Sequence, residues 1–153
     1  MSQAHTQEFL SFTLGGMEYG LDARQVREWR PLDALGRFAA GAVAVPGVAQ
    51  SRGVIMPIVD MRAVFAEAGS HAASGPSDVI ILTLSHCVMA MVVERVNGVV
   101  TLHPDQIGAV SCADGATPAD YLLGLGTAGG RRLILIDIDR LMAVGQDRPV
   151  LSV

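Results

Sequence analysis

The apolar residues of this chain come in short runs between glycine-rich turns, and the pattern of runs comes twice. EFLSFTLGGMEYGLDA reads as strand, turn, strand, with Gly15-Gly16 at a hairpin turn that demands positive φ. VIILTLSHCVMAMVVERV reads the same way, with Ser85-His86 at its turn. Its arms are apolar throughout, the pattern of strands buried on both faces. Thr13-Leu14 falls on Thr83-Leu84 and Val26 on Val96, an offset of 70. GVAQSRGVIMPIVDMRAVF, from Gly47, lies over GLGTAGGRRLILIDIDRLM, from Gly124, so that Gly53 falls on Gly130 and Asp60 on Asp137, an offset of 77. Each half holds a hairpin, a connector, a Gly-rich turn, a strand ending in Asp and a short helical tail (62–68 and 139–144).

Halves of about 70 residues are short for independent cores. The expectation is a mainly β chain of two small barrel-like lobes packed together, with GSHAASGPS (69–77) as the linker between the halves. The ordered domain is read as 7–145, with flexible termini at 1–6 and 146–153. DARQVREW reads as a helical turn or a continuing strand, and TPADYLLGLG as a cap at Thr117 before one helical turn. Half the residues are hydrophobic, enough for a sizeable core of aliphatic side chains. The net charge of -4 argues against a general affinity for nucleic acid or anionic membranes. MSQAHTQEF has no signal-peptide pattern, and no apolar run nears the roughly 20 residues of a membrane helix. A cytoplasmic location without membrane insertion is expected.

Candidate chemistry is thin. GLGTAG (124–129) satisfies G-x-G-x-x-G, but a strand follows it instead of a helix, so it reads as a flexible turn. Four scattered histidines and two cysteines make no metal framework and imply no cofactor. Cys87 reads as a small core residue and Cys112 as a free loop thiol. Ser85-His86 is the only hint of a small hydrolase, and it lacks a positioned third group. Asp60 and Asp137 end strands before helical tails, which suits turn hydrogen bonding better than acid/base work.

Binding is the better prospect. SRGVIMPIVDMR (51–62) reads as a buried strand, in which Pro57 calls for an edge or a bulge. Arg52 falls on Gly129 in the second half, so the repeated scaffold does not require an arginine there. It is either a solvated turn residue or a contact for a partner. Trp29 is the only Trp and lies among Arg24, Arg27 and Arg30, which suits an interface anchor or a packing role between the lobes. Val26 and Val96 are expected to pack between or near the lobes.

EFLSFTLGGMEYGLDARQVREW, then RG-x-x-x-PIVD-x-R (52–62), then the closing LGLG…LILID strand, resemble the CheW-like chemotaxis coupling proteins over about residues 7–143. The resemblance implies two intertwined SH3-like five-stranded β-barrels and no catalysis. It implies an adaptor that bridges the cytoplasmic tip of chemoreceptors to the regulatory domain of a CheA-type histidine kinase, within ring assemblies at membrane-associated arrays. Coupling in pilus motility or another chemosensory pathway is the alternative use of the same fold. Carried over by position, Arg52, Val26, Glu28 and Gly47 are partner-binding residues, with Trp29 beside them. Gly53, Pro57, Asp60, Gly124, Gly130 and Asp137 belong to the scaffold. The chain departs from the family pattern at Ser51, where Leu is frequent, and at Trp29, where an aliphatic residue is typical.

Overall fold

The structure is a computed structural model that describes residues 5–32, 47–51, 53–62, 77–85, 87–109 and 121–141, with 47–51 described by backbone alone. The first half gives β1 (Gln7–Leu14), β2 (Met17–Asp22), β3 (Val26–Pro31), β4 (Gly47–Ser51) and β5 (Val54–Asp60). The second gives β6 (Asp78–Thr83), β7 (Val88–Val93), β8 (Arg95–Leu102), the two-residue β9 (Ile107–Gly108), β10 (Leu122–Ala128) and β11 (Arg131–Ile136). They form a six-stranded sheet ordered β8-β1-β2-β11-β10-β9 and a five-stranded sheet ordered β3-β6-β7-β5-β4.

The internal repeat holds residue by residue. Phe12 pairs with Val96 in the first sheet, and Leu82 with Val26 in the second. Each of these ladders shifts register at the same place, after Ser11 in β1 and after Val26 in β3. Leu135 lies parallel to Gly20, and Ile58 parallel to Ala90. The halves are nevertheless not the lobes. The six-stranded sheet takes its β1–β2 hairpin from the first half and its other strands from the second. The five-stranded sheet takes β6–β7 from the second half and β3, β4 and β5 from the first. The 69–77 stretch, read as the linker between the halves, runs from β5 of the first half to β6 of the second, and these two strands belong to one sheet; its own residues up to 76 lie outside those described.

Three cores follow from side-chain alternation. Leu10, Phe12 and Leu14 of β1 meet Ile80 and Leu82 of β6 and Met89, Met91 and Val93 of β7 in a core shared by the sheets. Phe12 and Tyr19 stack within it, ring centroids 5.7 Å apart. On its other face β1 sends Phe9 to Leu102, Leu133 and Leu135, a core of the six-stranded sheet alone. Val79, Ile81, Ala90 and Val92 turn the other way and meet Met56 and Ile58 in the core of the five-stranded sheet. The expectation that the second hairpin is buried on both faces holds, and Val26 and Val96 do pack against the shared core.

The six-stranded sheet curls until its edges approach. β8 and β9 lie at opposite edges yet follow each other in the chain through the turn Pro104–Gln106. Gln106 accepts from the His103 N–H (2.7 Å) and donates from Nε2 to the Thr127 carbonyl of β10 (3.0 Å). Gly124 and Gly126 let β10 close against these neighbours. A Cβ on Gly124 would stand 2.8 Å from the Gly108 carbonyl oxygen, and one on Gly126 2.6 Å from Leu102 Cδ1. The G-x-G-x-x-G stretch is thus corrected from a flexible turn. Its first five residues are strand, and only Gly129 belongs to the turn, with Gly130 beside it (φ 56° and 84°).

Other readings resolve locally. Asp22 caps the 3-10 turn Ala23–Gln25 by accepting from the Arg24 N–H, and β3 follows at once, so DARQVREW is both turn and strand. Cys87 is exposed just before β7, not a core residue, because it belongs to the hairpin connection. Cys112, His86, the Thr117 cap, residues 1–4 and the tail 146–153 lie outside the described residues. No helix among the described residues is long and apolar enough to cross a membrane.

Gly124→Ala is expected to lower unfolding free energy by about 1–3 kcal/mol, the usual range for overpacking a tight core. The opposing atom is backbone and cannot rotate away. Urea denaturation monitored by circular dichroism measures it.

Candidate partner-binding surface

The repeat supplies an internal control, since the five strands β8, β1, β2, β11 and β10 of one sheet have twins in β3, β6, β7, β5 and β4 of the other. At the β10–β11 hairpin the end of the six-stranded sheet is polar. Arg131 pairs with Glu18 of β2, which also accepts from the hydroxyl of Ser11, the one buried polar residue among those described. Asn97 Nδ2 donates to Ser11 Oγ (3.2 Å) and Thr13 Oγ1 (3.1 Å), extending the network over β8 and β1. The Arg131 guanidinium holds the Glu18 carboxyl below the usual carboxylate range; partial burial opposes this and the Ser11 hydroxyl adds to it. Arg131 in turn is held more firmly protonated by the same pairing.

The twin end, at the β4–β5 hairpin, has the opposite character. Val88 stands where Glu18 stands, Ile81 where Ser11 stands, and Val54-Ile55 where Arg131-Arg132 stand. Val54 is 50% exposed and Ile55, at 70%, is the most exposed large apolar residue among those described. Pro57 is exposed on the same side of β5 as Ile55, while Met56 and Ile58 turn into the core. The stretch read as a buried strand therefore buries one face only. A continuous apolar run does not reveal that difference, but the arginines at the twin positions do.

Pro57 also corrects the edge-or-bulge expectation. β5 lies inside the sheet, between β7 and β4, and its ladder with β4 has no register shift. The parallel ladder with β7 begins only at Ile58, whereas the twin of Pro57, Ile134, pairs with Tyr19. Proline, which has no N–H to donate, thus stands just before the parallel ladder with β7 begins, in a strand that pairs on both sides from Ile58 onward.

The other residues singled out divide by strand. Gly47 opens β4 opposite Ile58, and Gly53 turns the hairpin with φ 78°. Arg52 lies between them in sequence but outside the described residues. Asp60 ends β5 and accepts from the Arg62 N–H (3.0 Å) and Nε (2.8 Å), a turn role shared by Asp137, which accepts from the Arg140 N–H (3.1 Å). On β3, Val26 is half-buried against the shared core, Glu28 pairs with Arg30, and Trp29 is 44% exposed. β3 and β4 are the two edges of one sheet, so the structure brings Val26, Glu28 and Trp29 to one edge of the five-stranded sheet and Gly47 and Gly53 to the other, with Asp60 at the end of β5, while Asp137 belongs to the six-stranded sheet. Ser85 donates its hydroxyl to Asp139 Oδ1 (2.9 Å). Among the described residues no group of three or more His, Cys, Asp or Glu is placed to hold a metal ion.

Comparison with known proteins agrees with this fold. Residues 8–146 match the model of the CheW-like domain family. The chain is 40% identical over 137 residues to the chemotaxis protein CheW of Klebsiella aerogenes, covering 90% of this chain and 82% of that one. The crystal structure of the scaffolding protein TtCheW from Thermoanaerobacter tengcongensis shares the fold, with a TM-score of 0.65 at 20% identity over 86% of this chain and 88% of that one.

Glu18 binds its proton less readily in the folded chain than in the unfolded one. Its pairing therefore adds stability above the ordinary carboxylate pKa of about 4.3, and that stability is lost as pH falls through the lowered folded value. Glu18→Gln is expected to lower the urea midpoint at pH 7 and to converge on the parent chain as pH falls below about 4. Paired urea titrations between neutral and acid pH read the gap directly.

Proposed function

The chain belongs to the CheW-like family of chemotaxis proteins, and on that premise we propose that it is a non-enzymatic cytoplasmic scaffold. In this reading it couples the tips of chemoreceptors to the regulatory domain of a CheA-type histidine kinase and is recruited by them to membrane-associated arrays. The observation that carries the site is the exposed Val54-Ile55 pair, held on a hairpin whose twin bears two arginines. Apolar side chains left in water at a hairpin tip, one residue past Arg52 and Gly53, have the composition of an interface centre: apolar contact with an arginine beside it. Trp29 on the opposite edge strand supplies a second anchor.

The mechanism is geometric. A scaffold influences a kinase only if the bound partners have different free energies in the kinase's two states. Two sheets fixed on a common core hold partner surfaces at a set separation and angle. Movement of one partner then strains or relieves the contact with the other, with no chemistry at the scaffold. The polar end built on Glu18 and Arg131 and the apolar end at Ile55 suit unlike partners, so the repeat need not bind the same molecule twice.

Ile55→Glu and Arg52→Glu are each expected to weaken capture of the receptor cytoplasmic fragment or the kinase regulatory domain at least tenfold, about 1.4 kcal/mol or more. Unfolding free energy is expected to move by less than about 1 kcal/mol, as for surface substitutions. Isothermal titration with purified partners, alongside thermal melts, separates the two. Unchanged affinity for both partners, or a collapse in stability, overturns the assignment.

A further inference from the structure

We infer that the Asp139 carboxylate is a positioning clasp that locks the register between two sheets whose shared core can slide. Asp139 follows β11 of the six-stranded sheet. Its Oδ1 accepts from the Ser85 N–H (2.8 Å) and the Ser85 hydroxyl (2.9 Å), at the turn of the β6–β7 hairpin in the other sheet. Its Oδ2 accepts from Gln25 Nε2 (2.9 Å), in the turn where the chain leaves the first sheet for the second. One carboxylate thus fastens the end of one sheet, the turn of the other and the crossover between them.

The twin positions do not repeat this. Arg62, the twin of Asp139, bonds Asp60 and Ser77 at the margin of its own sheet. The twin turn is held by Glu94, which accepts from the Gly15 N–H (2.7 Å) at the head of β8, a strand of the same sheet as that turn. Val96 N–H to Asp78 Oδ2 (2.8 Å) also runs between the sheets, but it lies beside the β7–β8 crossover, where the chain itself ties them. Ser85 and Asp139 are 54 residues apart, so their link constrains what covalent connection leaves loose.

The shared core gives the clasp something to hold. Met61, Met89 and Met91 lie in it, whereas the core of the five-stranded sheet has Met56 alone and that of the six-stranded sheet has no methionine among its described members. Methionine is unbranched and repacks with little penalty, so a seam of three tolerates small sliding of packed layers. Directional hydrogen bonds at the rim do not. The apolar core makes the sheets adhere, and the Asp139 bonds choose one register among those the core permits. The lock rests on this geometry alone; its use in transmitting receptor state to a kinase rests on the scaffold reading above.

The test is methyl relaxation dispersion on the full chain, with 13C in the methionine ε-methyls, in the parent and in Asp139→Ala, Gln25→Ala and Ser85→Ala. Microsecond-to-millisecond exchange is the timescale of such sliding. The parent is expected to be flat. Asp139→Ala is expected to show dispersion at Met61, Met89 and Met91 while Met56 and exposed Met17 stay flat; the two milder variants show the same pattern at smaller amplitude. Flat profiles in folded Asp139→Ala overturn the clasp, and so does dispersion that spreads equally to Met56, which marks general loosening. If Asp139→Ala does not fold, Gln25→Ala and Ser85→Ala decide, and flat profiles in both overturn it. Partner capture by the parent chain is measured separately, so failure of the scaffold reading leaves this outcome legible.

Discussion

Everything in this fold depends on two hairpins that bury side chains on both faces. A strand apolar on one side needs one neighbour; β6 and β7 are apolar on both and need two. β1 has the same demand, with Phe9 on one side and Leu10, Phe12 and Leu14 on the other. Back-to-back packing of the hairpins satisfies one face of each, and the remaining strands must cover the other. At about 1.5–3 kcal/mol for each large side chain buried, the penalty for leaving either face in water exceeds the stability of a typical domain. Exchange of strands between the halves is the solution: each hairpin is wrapped by strands from the other half and pressed against its own twin.

That requirement also explains what was legible in the sequence. Hairpins, their glycine turns and the terminal Asp60 and Asp137 are encoded within a few residues, by alternation and by turn chemistry. The offsets of 70 and 77 announce a repeat with equal directness. Which strand pairs with which is a different kind of information. Periodicity reports that β5 has a partner, not that the partner is β7 in place of β2. The linker at 69–77 marks the passage from one half to the other, but its composition does not tell which sheet the strands on either side of it join. Cys87 looked buried because its neighbours are.

The candidate site was half visible for the same reason. Arg52 was singled out because its twin is glycine, a comparison that needs only the sequence. Ile55 was not, because a branched aliphatic residue in an apolar run carries no mark of the face it occupies. Its twin, Arg132, carried the mark instead. In a duplicated fold, disagreement between twins separates what the backbone needs from what one copy does alone. By that measure Gly53 and Gly130 are architecture, and Val54-Ile55 against Arg131-Arg132 is divergence of use.

The order of strands along the chain has a consequence for birth on the ribosome. Among the described residues, every strand of the five-stranded sheet lies between residues 26 and 93, so that sheet is an unbroken insert within the other. It has all its strands as soon as Val93 emerges. The β1–β2 hairpin, synthesised before it, has to wait for β8, β10 and β11, which come last. At roughly 5–20 residues per second that delay lasts seconds. In that interval the finished sheet offers the first hairpin the shared apolar seam, covering one of its two greasy faces. The older hairpin is sheltered by the younger sheet until its own arrives.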